Sequence, residues 1–165
     1  MTKTTLHILP SENYFKEVIK IIQQNINKKI VFVTANKPYS NIKNLLEEEG
    51  INSNNIFFID CISTQLLSEK EAENCIFLEH PSNITGISIA IDQAINLIKG
   101  EKIIILDSLS TLLIYNSENV IGRFSNSIIN KLRTENVPAN MFMLDSDVDK
   151  NIFKIIESFA DEVKR

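Results

Sequence analysis

Short uninterrupted apolar runs alternate along this chain with stretches in which apolar residues recur every three or four positions. The runs are Leu6-His7-Ile8-Leu9 (one polar residue among three aliphatics), Ile30–Val33, Ile56–Ile59, Cys75–Leu78, Ile103–Leu106 and Met141–Leu144. A run apolar at consecutive positions reads as a strand buried on both faces, the habit of a parallel sheet covered by helices. The periodic stretches between them read as those helices. Ser11 is placed to cap the first, which runs to about Asn25 with Tyr14, Phe15, Val18, Ile19, Ile22 and Ile26 on one stripe. Pro38 opens the second, with Ile42, Leu45 and Leu46 inward and Gly50 as a left-handed stop. Asn83 or Thr85 caps a third, whose Ile84, Ile87, Ile91, Ile95 and Ile98 share a face and which Lys99 and Gly100 close.

Residues 109–116 read as an apolar connection. Ser117 caps a further helix with Val120, Ile121, Phe124, Ile128 and Leu132 on one side. Asp147 is placed to cap the last, through Ile152, Phe153, Ile156 and Phe159, and Ala160–Val163 begins another strand. Between Cys61 and Asn74 the pattern breaks into a polar excursion around Gln65–Glu73. Strands alternating with helices in this way predict an α/β chain, a three-layer α/β/α sandwich around a mostly parallel sheet. Right-handed crossovers follow, and with them the expectation that Asp60, Asp107 and Asp145 all lie toward the carboxyl edge of the sheet.

That edge is where open α/β sheets bind ligands. The run Ile103-Ile104-Ile105-Leu106-Asp107 is therefore the most suggestive in the chain. In nucleotide-hydrolysing folds an aspartate there helps to hold Mg²⁺. The plainer alternative is a buried strand whose aspartate starts the next turn.

Composition narrows the function classes. A length of 165 residues suits one domain spanning residues 1–165, and 44% hydrophobic residues supply a substantial core. The formal net charge of −4, with no long run of Lys or Arg, speaks against a basic nucleic-acid face. No apolar stretch approaches the roughly 18 residues that a membrane span needs. The start of the chain does not resemble a signal peptide, so a cytoplasmic protein is expected. Cys61, Cys75, His7 and His80 lack the paired spacing of a zinc site, and cysteines of a reducing cytosol are the expectation. The four glycines stand at 50, 86, 100 and 122, none behind the first strand, so no dinucleotide-binding turn is present.

Several segments carry a family likeness. They are Glu101–Asn116 around Asp107, Asn55–Asp60, Thr85–Ile91, Gly122-Arg123-Phe124 and Phe159–Val163. In this order and spacing the chain, over residues 5–165, resembles RecA-superfamily ATPases of the KaiC type, the archaeal KaiC-like family. The resemblance implies a RecA-like sheet, Asp107 as the Walker B aspartate, and nucleotides at subunit junctions. It also shows departures. The register of the phosphate loop puts Pro10 and Phe15 at the two glycines, Lys16 at the lysine and Glu17 at the hydroxyl position. Proline lacks an amide to offer a phosphate, and phenylalanine does not take glycine's left-handed conformation. After the second strand Thr34-Ala35-Asn36-Lys37-Pro38 stands where the family carries glutamates that activate water.

The resemblance thus implies a degenerate Walker A and a vestigial nucleotide set of Lys16, Asp107 and Ser108, with no catalytic residue and no metal site assigned. Asp107 is then free to hold the Ser108–Ser110 turn. The leading expectation is a non-catalytic RecA/KaiC-like module without a cofactor, a regulatory or assembly protein. It would act on a protein partner or a second copy of itself, among which an intact KaiC-like ATPase is one candidate. Arg123, Lys131 and Arg133 are the basic side chains available to work in trans, and Leu112–Tyr115 is a contact surface if it is not core. The alternative is an ATP-binding protein or weak ATPase that holds Mg-ATP with an atypical loop over Pro10–Lys16. A third reading, a receiver-like phosphoacceptor, would use Asp60, although Glu12 is the one carboxylate close behind the first strand.

Overall fold

The computed structural model describes residues 2–64 and 72–165. Most of the polar excursion expected around Gln65–Glu73 therefore lies outside the described residues. The first half of the chain forms β1 (Thr4–Leu9), α1 (Tyr14–Gln24), β2 (Lys29–Thr34), α2 (Tyr39–Glu48), β3 (Ile56–Asp60), β4 (Cys75–Phe77) and α3 (Ile84–Leu97). The second half forms β5 (Lys102–Asp107), α4 (Leu109–Tyr115), α5 (Glu118–Thr134), β6 (Ala139–Leu144), α6 (Asn151–Phe159) and β7 (Glu162–Lys164). Single 3₁₀ turns stand at Ser53–Asn55 and Asp145–Asp147.

The strands join in one sheet in the order β4-β3-β2-β5-β6-β1-β7, and every pairing is parallel. The direction of travel across the sheet decides the layer. Moving one way, from β1 to β2 and on to β3, the chain lays α1 and α2 on one face. Moving back, from β4 to β5 and on to β6 and β7, it lays α3, α4, α5 and α6 on the other. Right-handed crossovers require this division.

Alternation along the strands feeds both layers. Val31, Val33, Ile104, Leu106, Met141 and Met143 pack with Ile91, Leu112, Ile128 and Ile152 in the core beneath α3–α6. Ile30, Phe32, Phe58, Ile103, Ile105 and Phe142 pack with Val18, Ile22, Ile42 and Leu46 beneath α1 and α2. The uninterrupted apolar runs are the consequence of a sheet that is covered twice.

Several boundaries differ from the expectation, each for a local reason. Residues 109–115 are not a connection but a two-turn helix, started by Ser108, whose Oγ accepts from the Thr111 amide at 3.1 Å. Leu109 and Leu112 turn inward while Ile114 is exposed. Ser11 does not cap α1. The chain instead turns through Asn13 in the left-handed conformation (φ 58°), which asparagine tolerates, and the helix begins at Tyr14. Asp147 does not cap α6; its carboxylate pairs with Lys150 at 2.8 Å, and the helix begins at Asn151. Val120 faces outward. The caps of Asn83 on the Gly86 amide and of Ser117 on the Val120 amide are as expected. Gly50 takes φ 71°, and the Ile51 amide returns to the Leu46 carbonyl at 2.8 Å.

Candidate functional site

The carboxyl ends of β1, β2, β5 and β6 meet where the connections part toward opposite faces. The loop from β1 and the loop from β2 leave for one layer, and the turn from β5 leaves for the other. Such a divide opens a crevice in α/β sheets. Backbone ties set its walls. The Ala35 amide donates to the Asp107 carbonyl at 2.8 Å, holding the end of β2 to the end of β5. Thr34 Oγ1 donates to the Lys37 carbonyl at 2.5 Å and folds Asn36 and Lys37 back over the edge. The Leu144 amide donates to Ser110 Oγ at 2.8 Å, fastening α4 to the end of β6.

These ties leave a cavity of about 540 Å³, within the range of ligand pockets. Ser11 and Asn13–Lys16 line it from the β1 side, Asn36 and Lys37 from β2, Ser108, Thr111 and Ile114 from β5 and α4, and Leu144 from β6. Of the sequence-derived set, Lys16 and Ser108 share this cavity. Asp107 does not line it.

Asp107 is fully buried behind Tyr14, whose hydroxyl donates to Asp107 Oδ1 at 2.6 Å. Asp107 Oδ2 has no hydrogen-bond partner among the described residues. Burial pushes the Asp107 carboxyl up to about 6, against the Tyr14 hydrogen bond and the nearby Lys37 charge, which both favour the ionised form. Burial also raises the Tyr14 phenol, with the Asp107 charge and hydrogen bond adding to it. Asp107 does not hold the turn that follows it, as the sequence suggested. Ser108 does, by capping α4, while Asp107 points to α1. As arranged, the carboxylate that would face Mg²⁺ is bonded to a phenol and walled off from the cavity. These residues therefore do not fit a Mg²⁺-nucleotide held at Asp107.

Asp60, the candidate phosphoacceptor, is also fully buried. Its Oδ1 accepts from the Ile62 and Ser63 amides, both at 2.8 Å, and its Oδ2 from the Tyr39 amide at 2.8 Å and from the Ser63 hydroxyl. It is a clamp on the β3 turn and the start of α2. The strand order also departs from the 2-1-3-4-5 arrangement of flavodoxin-like sheets. No group of three or more His, Cys, Asp or Glu among the described residues is placed to hold a metal ion.

The basic side chains lie elsewhere. Arg133 donates to the Phe159 carbonyl at 2.5 Å and to Asp161 at 2.8 Å, tying α5 to the approach of β7. Lys131 pairs with Asp92 across α5 and α3. Arg123 borders a groove between α5 and α6. Of the apolar segment Leu112–Tyr115, Leu112 is core and Ile114 is surface. Tyr14 lies on the apolar stripe of α1 as its spacing predicts; what the sequence does not show is that its hydroxyl reaches across 93 positions to Asp107.

No family model matches the chain, and no curated protein matches it. A solved structure does: a KaiC-like protein of the hyperthermophilic archaeon Pyrococcus horikoshii, with a TM-score of 0.64 and 14% sequence identity, over 98% of this chain and 69% of that one. At that identity the likeness speaks to the fold alone. Together with the seven-stranded parallel sheet between two helical layers, it gives this chain the α/β fold of a KaiC-like, RecA-type domain.

Proposed function

We propose that this chain is a RecA/KaiC-like module with a dismantled phosphate loop, which does not hydrolyse nucleotide and works as a regulatory or assembly subunit through contact with another protein chain. The observation that carries this reading is the Tyr14–Asp107 hydrogen bond at 2.6 Å. It occupies one oxygen of that carboxylate with a side chain that lines the cavity, which Asp107 itself does not line. Two further features support it. The segment from Pro10 to Glu17 contains no glycine, so its amides are poorly suited to wrap a phosphate. Asn36 and Lys37 stand where a water-activating carboxylate would be needed, and neither carries one. Phosphoryl transfer depends almost wholly on positioning and charge stabilisation, so the loss of both removes the reaction. The partner is a second copy or an intact ATPase of the same fold. No helix among the described residues is long and apolar enough to cross a membrane.

The test is calorimetric titration of the purified protein with Mg-ATP, alongside an assay for released phosphate. The expected result is no binding heat and no phosphate. Micromolar Mg-ATP affinity would overturn the reading. One observation favours a second reading, a nucleotide binder with an unorthodox loop: Lys16 and Ser108 line the same cavity. That reading requires Mg-ATP to raise the melting temperature, and Lys16→Ala to abolish the rise.

A further inference from the structure

We propose that the cavity at the carboxyl edge is the docking site for a short acidic-apolar segment of a partner chain. A glutamate or aspartate of that segment meets Lys16 and Lys37, and the aliphatic or aromatic residue beside it packs on Phe15, Leu144 and Ile114. The inference deepens the proposed function and rests on it, because a nucleotide and a peptide would compete for the same space.

Charge supplies the first argument. The chain carries 21 acidic against 17 basic residues, yet no Asp or Glu lines this cavity and two lysines do. Neither lysine forms an ion pair with a carboxylate among the described residues. Lys37 is held in place instead, with Nζ 5.6 Å from the Phe15 ring centroid. A locally positive cavity on a negative protein selects an acidic group and rejects a basic one.

Shape supplies the second. Tyr14 lines the cavity and bonds Asp107, which is buried and does not line it. The cavity reaches Ile114 of α4, which at 76% exposure is the most exposed of the large hydrophobic residues among those described. Phe15 and Leu144, both half-buried, extend the same apolar surface. A compact inorganic anion would use the lysines and leave that surface bare. A peptide segment with an acidic and an apolar side chain covers both. The groove between α5 and α6 is comparably apolar, but nothing there shows what covers it.

The experiment uses the full chain, labelled with ¹⁵N, and follows amide shifts during titration. The probe is an acetylated and amidated hexapeptide that alternates glutamate with leucine, and its control replaces each glutamate with lysine. The acidic peptide is expected to move the amides of residues 11–16, 36–37 and 108–114, and the basic peptide is not. The double variant Lys16→Glu/Lys37→Glu is expected to weaken the acidic peptide by about tenfold or more, and Ile114→Ser by a smaller factor. The milder pair Lys16→Gln/Lys37→Gln answers the same question if the reversed pair fails to fold. The proposal is overturned if the acidic peptide leaves those amides unmoved, if the lysine variants bind it as well as wild type, or if the basic peptide binds equally. A parallel Mg-ATP titration separates the two levels. If neither peptide nor Mg-ATP binds, docking at this cavity fails while the non-nucleotide reading stands. If Mg-ATP binds and the acidic peptide leaves those amides unmoved, the non-nucleotide reading and docking both fail.

Discussion

Asp107 depends on one hydrogen bond. Its carboxylate is fully buried, and the Tyr14 hydroxyl is its one side-chain hydrogen-bond partner among the described residues. Tyr14→Phe keeps the ring and its edge contact with Phe142 while deleting the donor. The carboxylate then loses the group that favours its ionised form, and its pKa rises above the present value of about 6. Losing that partner should cost about 1–3 kcal/mol where Asp107 is charged, at mildly alkaline pH. In mild acid, where Asp107 already holds a proton, the loss should be smaller. Urea unfolding of wild type and variant at the two pH values measures the difference, and an equal loss at both would contradict the assignment. The residue-scale reading of the sequence reached half of this pair. An aspartate closing an apolar strand is visible locally, and so is a tyrosine on a helical stripe. Their bond is a tertiary contact between the first helix and a central strand, which no local period encodes.

Strands were the most legible elements, because a sheet covered on both sides leaves each strand apolar at consecutive positions. Some polar ends were not legible: Thr4, Lys29 and Thr34 belong to strands because the ladder continues through the backbone whatever the side chain. Helix starts were read correctly where an Asn or Ser sits at the cap, as in α3 and α5, and wrongly where the chain enters through a left-handed residue or a 3₁₀ turn, as in α1 and α6. The α4 helix escaped notice because seven residues give too few repeats for a helical period to show. Two helical glycines test how well the cap and packing are understood. A Cβ added at Gly122 meets Ile152 Cδ1 at 3.4 Å, ordinary contact with a flexible side chain. Gly122→Ala should therefore collect most of the roughly 1 kcal/mol by which alanine exceeds glycine inside a helix. A Cβ at Gly86 would clash with the Asn83 side-chain amide. Gly86→Ala must turn Asn83 away and forfeit a cap of about 1 kcal/mol. Thermal unfolding should rank Gly122→Ala above wild type and Gly86→Ala at or below it. Equal gains at both sites would mean that the Asn83 cap contributes nothing.

Across the whole molecule, two buried groups pull the pH dependence of stability in opposite directions. Asp107 titrates at about 6 in the folded chain against an ordinary 3.8, so between those values the folded state holds more protons than the unfolded one. Its contribution therefore falls as pH rises through that window, by roughly 3 kcal/mol in all. His7 is buried in the middle of β1, 2.7 Å from Asn140 Oδ1 and stacked near Phe142. Burial holds its pKa below 6.5, helped by Lys164 and opposed by the Asn140 bond and by Glu162. Here the unfolded state holds more protons, so stability is lost as pH falls below 6.5 toward the lowered folded value. Asp161 is held below its ordinary 3.8, first by the Thr4 amide and then by Arg133, so it acts only in stronger acid and leaves this range alone. The wild-type curve should accordingly be less steep where the two windows overlap, below about pH 6, than either group alone would make it. Removing either group should expose the other. Asp107→Asn should make the protein lose stability on acidification, and His7→Gln should make it gain stability. Denaturant midpoints across that interval read both signs directly. If Asp107→Asn left the curve unchanged, the buried carboxylate would have to be screened by solvent reaching past Tyr14. That result would also reopen the path from the cavity to Asp107, on whose closure the non-catalytic reading depends.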